Sequence, residues 1–215
     1  MGICDQRVVI VTGAGGGLGA AHARVLASEG AAVLVNDINT EAARAVVNEI
    51  TAAGGLAVVN ESDITNYESS GQAVAQAVET FGDLTGVVNN AGNNRDRMFA
   101  SLSEADWDQV MAVHLKGHFC IASHAVQYWR HQSKLGNAVS GRLVNTTSGA
   151  GLQGSLRVAV NPTSLVLRAL ATMPPGQLGE QAELTWRVVP HIEERLTMKP
   201  LALSSNKRDA QAPQP

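Results

Sequence analysis

A glycine-rich run near the amino terminus constrains the fold more than any other feature of the sequence. The run, 13–19, reads Gly-Ala-Gly-Gly-Gly-Leu-Gly, and it lies between a β-branched segment, 8–11, and a helix-forming segment, 18–29. Glycines let a backbone turn sharply and approach a pyrophosphate, whose charge is attracted by the N–H groups and dipole of the following helix. The setting therefore predicts a phosphate-binding loop, and a plain flexible turn is the alternative.

The apolar pattern of the following segments predicts strands and helices in alternation. The predicted strands are 8–11, 32–36, 56–60, 84–89 and 143–146. The predicted helices are 18–29, 41–53, 67–81 and a long stretch over 103–131. Thr40 is the expected N-cap of the second helix, and Ser103 opens a capping box at the start of the last. This order, with short turns, predicts a doubly wound parallel sheet.

Composition excludes several classes of function. A net charge of −3 and 4% aromatic residues argue against a nucleic-acid-binding protein. Two cysteines, Cys4 and Cys120, match no metal-ligand spacing and indicate a reducing compartment. Residues 1–7 have no signal-peptide core, and no segment approaches the ~20 apolar residues of a membrane span. We therefore expect a cytoplasmic protein with neither nucleic acid nor membrane as partner.

Asp37 ends the second predicted strand and indicates which dinucleotide the loop accepts. An acidic residue at this position accepts hydrogen bonds from the adenosine ribose hydroxyls, and it would repel a 2′-phosphate. Neither the glycine loop nor the neighbours of Asp37 include Arg or Lys. NAD is therefore favoured over NADP, although a solvated turn carboxylate is the alternative interpretation. Asp63, after the third strand, is a weaker candidate for the adenine edge.

Three ordered motifs give the chain a specific resemblance. They are Thr-Gly-Ala-Gly-Gly-Gly-Leu-Gly at 12–19, Asn-Asn-Ala-Gly at 89–92 and Val-Asn-Thr-Thr-Ser-Gly-Ala-Gly at 144–151. Together they resemble the short-chain dehydrogenase/reductase family over residues 3 to about 155. The segment 113–119, Val-His-Leu-Lys-Gly-His-Phe, resembles a branch related to the dehydrogenase part of peroxisomal multifunctional enzymes. The resemblance implies a Rossmann-type fold.

The resemblance also implies a set of NAD-binding residues. The loop glycines would shape the pyrophosphate site, with Leu18 near the nicotinamide-side phosphate, and Asp37 would bind the ribose. Asp63 and Ile64 would lie at the adenine, and the Asn-Asn-Ala-Gly loop would line the cofactor ribose. The implied cofactor-binding residues are Gly13, Gly17, Leu18, Gly19, Asp37, Asp63, Ile64, Asn90, Ala91 and Gly92.

Two residues match catalytic positions of the family. Ser148 matches the serine that hydrogen-bonds the substrate carbonyl or hydroxyl. His114 stands where most members have an asparagine, and an imidazole there could relay protons near neutral pH. A packed helix histidine is the alternative interpretation of His114. The implied reaction is NAD-dependent oxidoreduction of a secondary alcohol or ketone, with a small molecule as substrate.

The family's Tyr-x-x-x-Lys pair is absent from the sequence. Counting from Ser148, the matching positions are Asn161 and Leu165. Neither Tyr67 nor Tyr128 has a lysine four residues further on. A free phenol has a pKa of about 10, and the family's lysine lowers it so that the phenol can exchange a proton. Asn161 has no titratable proton, so we predict NAD binding with little or no turnover.

The carboxyl-terminal part of the chain differs in character from the rest. All seven prolines lie beyond residue 155, and Pro162 can open a helix but not lie inside one. Apart from a helix-like 164–173 and a strand-like 184–189, periodicity is weak. We predict an NAD-binding Rossmann domain at 1–155, an atypical segment at 156–203 and a disordered tail at 204–215.

Three explanations of this segment remain open. A frameshifted or alternatively spliced end, favoured by the abrupt change near residue 155, would leave an ordinary family domain with a foreign tail. A noncatalytic NAD-binding pseudoenzyme or interaction protein is the alternative function. The third explanation is an unrecognised acid/base in place of the tyrosine. The substrate is not readable from the sequence, and a homo-oligomer stays open.

Overall fold

A single parallel sheet organises the part of the chain that the structure describes. The computed structural model describes residues 2–95, 97, 99–147 and 183–184. The strands are β1 Val8–Thr12, β2 Ala32–Asn36, β3 Leu56–Asn60, β4 Gly86–Asn89, β5 Arg142–Asn145 and β6 Glu183–Leu184. They pair in the order β3-β2-β1-β4-β5-β6, every pair parallel. The predicted doubly wound Rossmann-type sheet is confirmed, and its order reverses between β1 and β4.

Helices cover both faces of this sheet. They are α1 Gly17–Ser28, α2 Thr40–Ala52, α3 Tyr67–Phe81, α4 Glu104–Met111 and α5 His118–Lys134. One buried cluster joins α3 and α5 to residues such as Ile10 and Leu34 of the central strands. A second cluster joins α1 and α2 to the alternate strand residues, such as Val11 and Val35. Burial on both faces explains why β1 and β2 are uninterrupted apolar runs until their last residue.

The N-cap of α2 differs from the prediction. The side chain of Asn39, not that of Thr40, accepts the hydrogen bond from the Ala42 N–H, at 3.1 Å. Thr40 is the first helical residue, and its hydroxyl instead donates to the Glu61 carboxylate at 3.1 Å. The expected cap at Ser103 is confirmed, because its hydroxyl oxygen accepts from the N–H of Asp106.

The long helix predicted over 103–131 is interrupted. A π-helical turn, Ala112–Gly117, separates α4 from α5, and α5 continues to Lys134. A π turn inserts one extra residue per turn and occurs often at functional sites. It includes His114, and the side of the turn next to Gly117 lies against Ile64, because a Cβ on Gly117 would approach Ile64 Cδ1 at 2.8 Å.

Most of the predicted carboxyl-terminal regions, 156–203 and 204–215, lie outside the described residues. Glu183–Leu184 is described, and it pairs with β5 at the start of the strand-like segment 184–189. The helix-like segment 164–173 is likewise outside the described residues. Among the described helices, none is long and apolar enough to cross a membrane.

Candidate functional site

A row of polar side chains closes the carboxyl edge of the sheet. Thr12, Asn36 and Asn60 are aligned in register at the ends of β1, β2 and β3, and Asn89 and Asn145 are aligned at the ends of β4 and β5. All five are buried. The amide of Asn36 donates to Asn60 Oδ1 at 2.7 Å, and the amide of Asn89 donates to Asn145 Oδ1 at 2.9 Å. These bonds fix the strand ends at the edge where open α/β sheets bind ligands.

The glycine loop packs backbone against backbone on the next strand's loop. Gly13 has a φ of +62°, and a Cβ there would lie 2.7 Å from the Ala91 Cα. A Cβ on Gly19 would collide with the Gly13 carbonyl oxygen and lie 2.5 Å from the Asn90 amide nitrogen. Glycine is therefore required at both positions for steric reasons. The structure brings together the residues predicted from two separate motifs.

Side-chain hydrogen bonds lock these two loops together. The Thr12 hydroxyl oxygen accepts from the backbone N–H groups of Asn90 and Ala91, each at 3.0 Å. In the opposite direction, the Asn90 amide donates to the carbonyl oxygens of Thr12 and Gly13 at 3.1 and 3.2 Å. The carboxyl ends of β1 and β4 are thus held as one unit.

The start of α1 is left open. Its N-cap, Gly16, is extended and has no side chain to bond the first N–H groups of the helix, whereas Asn39, Asn66 and Ser103 cap α2, α3 and α4. Space is also open around Gly17, which has a φ of +52°, and Leu18 is 51% exposed. Free N–H groups at a helix start bind anions, so this cradle suits a pyrophosphate.

Asp37 is tied to the glycine loop. Its Oδ2 accepts from the Gly15 N–H at 2.9 Å, and its Oδ1 accepts from the Asn39 N–H at 2.9 Å. The side chain is half-buried between the loop and α2, where a Cβ on Gly15 would lie 2.9 Å from Asp37 Oδ2. Each carboxylate oxygen retains acceptor capacity, so the group can still receive hydroxyl donors.

Asp63 and Ile64 have local structural contacts. Asp63 Oδ1 accepts from both the N–H and the hydroxyl of Thr65, each at 2.8 Å. Ile64 is 5% exposed and belongs to the core, and its carbonyl accepts from the Ser70 hydroxyl at 2.9 Å. Their predicted place at the adenine stays a prediction.

His114 faces the loop that follows β4. Its Nε2 lies 3.0 Å from the backbone nitrogen of Asn93, which can donate to it, and 2.7 Å from the Asn93 carbonyl oxygen, which can accept from it. A Cβ on Gly92 would lie 2.7 Å from the His114 ring, so the loop and the imidazole are in close contact. Because Nε2 has a partner in either tautomer, the ring can change tautomer without moving. Ser148, the other predicted catalytic residue, lies outside the described residues.

Neither tyrosine of the described chain is suited to replace the missing phenol. The hydroxyl of Tyr128 donates to Asp83 Oδ1 at 2.8 Å, and Asp83 precedes β4 at the amino edge of the sheet. Burial, and then the hydrogen bond to Asp83, raise the pKa of Tyr128 to about 12. Tyr67 packs on His124, and its hydroxyl lies 3.1 Å from the Ser123 hydroxyl.

His118 was not among the predicted site residues. It is 1% exposed, and its Nε2 lies 2.9 Å from the Ala91 carbonyl oxygen. Burial, more than the nearby His114, lowers the pKa of His118 to about 4. The sequence offered one signal, since His114 and His118 stand four residues apart in a helical pattern. Both histidines contact the loop that follows β4, however, and that loop is distant from them in the sequence.

The chain belongs to the short chain dehydrogenase family, whose sequence profile matches residues 7–164. The predicted family is therefore confirmed. Among curated relatives, hydroxyacyl-CoA dehydrogenase ChsB1 of Mycobacterium tuberculosis is 48% identical over 155 residues, which cover 69% of this chain and 49% of the relative. The peroxisomal multifunctional enzyme type 2 of Mus musculus is 42% identical over 157 residues, 70% of this chain and 20% of the relative. The chain thus spans about half or less of these relatives.

Two solved structures are similar over most of the chain. A short chain dehydrogenase from Mycobacterium avium has a TM-score of 0.80 and 47% identity, covering 89% of this chain and 71% of that one. A 7α-hydroxysteroid dehydrogenase complexed with NADH and 7-oxo glycochenodeoxycholic acid has a TM-score of 0.72 and 27% identity, covering 85% and 70%. Both similarities support the Rossmann-type fold and the oxidoreductase family.

Proposed function

We propose that this chain binds NAD(H) at the carboxyl edge of the sheet. The observation that carries the proposal is the uncapped start of α1 beside a glycine loop that is locked to Asn90 and Ala91. The pyrophosphate would be held by the first N–H groups of α1, and the ribose of the nicotinamide half would lie along 90–92. The NADH complex of the 7α-hydroxysteroid dehydrogenase supports this choice of ligand.

Asp37 supports NAD rather than NADP. Its carboxylate lies at the end of β2, and its two oxygens are oriented by the N–H groups of Gly15 and Asn39. Ribose hydroxyls can donate to these oxygens, whereas a 2′-phosphate would face a fixed negative charge. Asp37→Ala should weaken NAD binding and narrow the difference from NADP, which isothermal titration with each dinucleotide measures. A wild type that binds NADP more tightly than NAD contradicts the assignment.

The reaction that we propose from the family is hydride transfer between a secondary alcohol or ketone and the nicotinamide. Two relatives act on thioesters of coenzyme A by name: ChsB1, and the (2S)-[(R)-hydroxy(phenyl)methyl]succinyl-CoA dehydrogenase subunit BbsD of Thauera aromatica, 39% identical over 155 residues. We therefore propose a hydroxyacyl thioester as substrate class.

Catalytic residues in this proposal are Ser148, which would hydrogen-bond the substrate oxygen, and His114, which would relay protons through its contact with Asn93. A positioned general acid/base commonly contributes ~10²–10⁴-fold to rate, and the family's tyrosine is absent. Tyr128, with a raised pKa at the other sheet edge, does not replace it. We therefore propose NAD binding with little or no turnover. The second candidate, a noncatalytic NAD-binding or interaction protein, is favoured by the same absence.

Turnover assays test whether the chain catalyses hydride transfer. Purified protein is given NAD with a secondary alcohol or a 3-hydroxyacyl-CoA thioester, and NADH formation is followed by absorbance. We expect little or no signal, and no rescue by the double variant Asn161→Tyr, Leu165→Lys, because Pro162 interferes with the helix that must present both groups. Robust wild-type turnover that His114→Ala abolishes would contradict the proposal and identify His114 as the acid/base.

We also propose a cytoplasmic location for the chain. Cys4 and Cys120 are both free thiols, which suits a reducing cytoplasm. The partner would be a small-molecule substrate or cofactor, without nucleic acid or membrane. A homo-oligomer is compatible with this function, and size-exclusion chromatography with light scattering measures it.

A further inference from the structure

His118 is a buried titratable side chain to which neither the resemblance nor the proposed chemistry gives a role. It opens α5 directly after the π turn and is 1% exposed. Its Nε2 lies 2.9 Å from the Ala91 carbonyl oxygen. A carbonyl oxygen only accepts, so Nε2 carries the hydrogen, and burial keeps the ring neutral by lowering its pKa to about 4.

The partner of His118 is the middle residue of the predicted cofactor loop. The N–H of Ala91 is already held by the Thr12 hydroxyl at 3.0 Å. With His118 bonded to the carbonyl, both polar groups of Ala91 are fixed by side chains from distant segments, one from β1 and one from α5. Two residues further on, Asn93 is held by His114. The loop is thus fastened to β1 on one side and to two histidines on the other.

Burying the polar His118 ring at this place costs stability, because polar atoms on it and beside it lack hydrogen-bond partners within the described part of the chain. His118 Nδ1 has no hydrogen-bond partner among the described residues, and neither have the neighbouring Asn89 Oδ1 and Asn145 Nδ2. Asn89 also contacts the start of α5, since its amide nitrogen donates to the His118 carbonyl oxygen at 3.3 Å. Buried polar atoms without partners are unfavourable. An apolar side chain at position 118 would remove the unpaired Nδ1, but it would also leave the Ala91 carbonyl without its hydrogen-bond donor. The imidazole therefore contributes a hydrogen-bond donor to Ala91 that an apolar side chain of the same size does not supply.

We propose that His118 is a positioning residue for the cofactor, and that its neutral Nε2–H holds the Ala91 carbonyl so that 90–92 keep the position that receives the ribose. This inference rests on the proposed NAD(H) site. His118 acts through the loop backbone and touches neither cofactor nor substrate. It differs in this respect from His114, for which a role in proton relay is proposed.

Paired variants test the role of the Nε2–H donor. His118→Gln places an amide nitrogen close to the position of Nε2 and keeps the donor, whereas His118→Leu removes it. The NADH dissociation constant is measured by titration of NADH fluorescence, and the thermal midpoint by circular dichroism. We expect His118→Leu to weaken NADH binding about tenfold, because the Ala91 carbonyl is left unbonded. His118→Gln should stay within about twofold of wild type, because the hydrogen bond is preserved.

Trp129→Phe is the matched control on the same helix. Trp129 is 2% exposed, and its ring N–H donates to the Leu84 carbonyl at 2.6 Å, at the amino edge of the sheet. This variant also deletes a buried ring N–H···O=C bond of α5, but far from the cofactor loop. It should lower the thermal midpoint and leave the NADH dissociation constant unchanged. If His118→Leu fails to fold, His118→Asn, whose shorter amide does not reach Ala91, replaces it and should also weaken binding.

The outcomes separate this inference from the function on which it rests. A wild type that binds NADH, with His118→Leu or His118→Asn unchanged in affinity, overturns the positioning role alone. Loss of affinity in His118→Gln equal to that in His118→Leu also overturns it, because the donor would then not be the relevant property. A wild type that does not bind NADH overturns the proposed function, and the positioning role with it.

Discussion

Acidification should destabilise this fold through His118 in a calculable way. The pKa of His118 is about 4 in the folded chain, against 6.5 for an ordinary histidine. As the pH falls below 6.5, His118 becomes protonated in the unfolded chain but stays neutral in the folded chain. The free energy of unfolding is therefore highest above pH 6.5 and decreases as the pH falls towards 4. The full difference corresponds to roughly 3 kcal/mol, of which about 2 kcal/mol is lost between pH 7 and pH 5.

Denaturant unfolding at several pH values measures this loss. The free energy of unfolding is determined by circular dichroism in urea between pH 7 and pH 5, for wild type and His118→Gln. Other titrating groups, including His22, whose pKa is also lowered by burial, contribute equally to both proteins. We expect the wild type to lose about 2 kcal/mol more than the variant over this interval. Equal pH dependence in the two proteins would show that His118 titrates in the folded state as freely as in the unfolded chain, which refutes the reasoning.

Two further predictions concern the loops that build the site. Gly13→Ala should destabilise the protein by about 1–3 kcal/mol and abolish NADH binding, because a φ of +62° and a 2.7 Å approach to Ala91 both oppose a Cβ. Gly54→Ala, with a φ of +85° but open space, should cost stability and leave binding intact, and an equal loss of binding would contradict the steric argument. Asn39→Ala removes the N-cap of α2 and should lower the free energy of unfolding in urea by about 1 kcal/mol, and Thr40→Ala should lower it less. A larger loss for Thr40→Ala than for Asn39→Ala would identify Thr40 as the cap.

Local sequence patterns predicted the elements that depend on neighbouring residues. The strands and the glycine loop follow from β-branched runs and from glycines at a strand–helix turn, and both were found close to their predicted positions. The cap of α2 was misassigned because Asn39 and Thr40 are adjacent and both residue types cap helices, Asn the more strongly. Only the folded backbone decides between them, and here the Thr40 hydroxyl is drawn to Glu61.

The features that sequence reasoning missed depend on distant contacts. The π turn is not readable from helical periodicity, since its residues continue the apolar pattern of α4 into α5. His118 gains its role from Ala91, which belongs to another loop of the chain. The row of asparagines was visible in the sequence, as four of the predicted strands contain or end in Asn. That these asparagines bond to one another could not be predicted without the strand register, which places Asn36 beside Asn60 and Asn89 beside Asn145.

Hydrogen exchange with and without saturating NADH tests the central claim most directly, because it reports both whether the cofactor binds and where. Amides that lie at a ligand or in a loop held by it exchange more slowly when the ligand is bound. The account predicts slower exchange in 13–20 and in 90–93 on adding NADH, with 124–134 unchanged as the internal reference. No change in exchange anywhere, or protection confined to segments outside these two loops, would contradict a cofactor site at the carboxyl edge of the sheet.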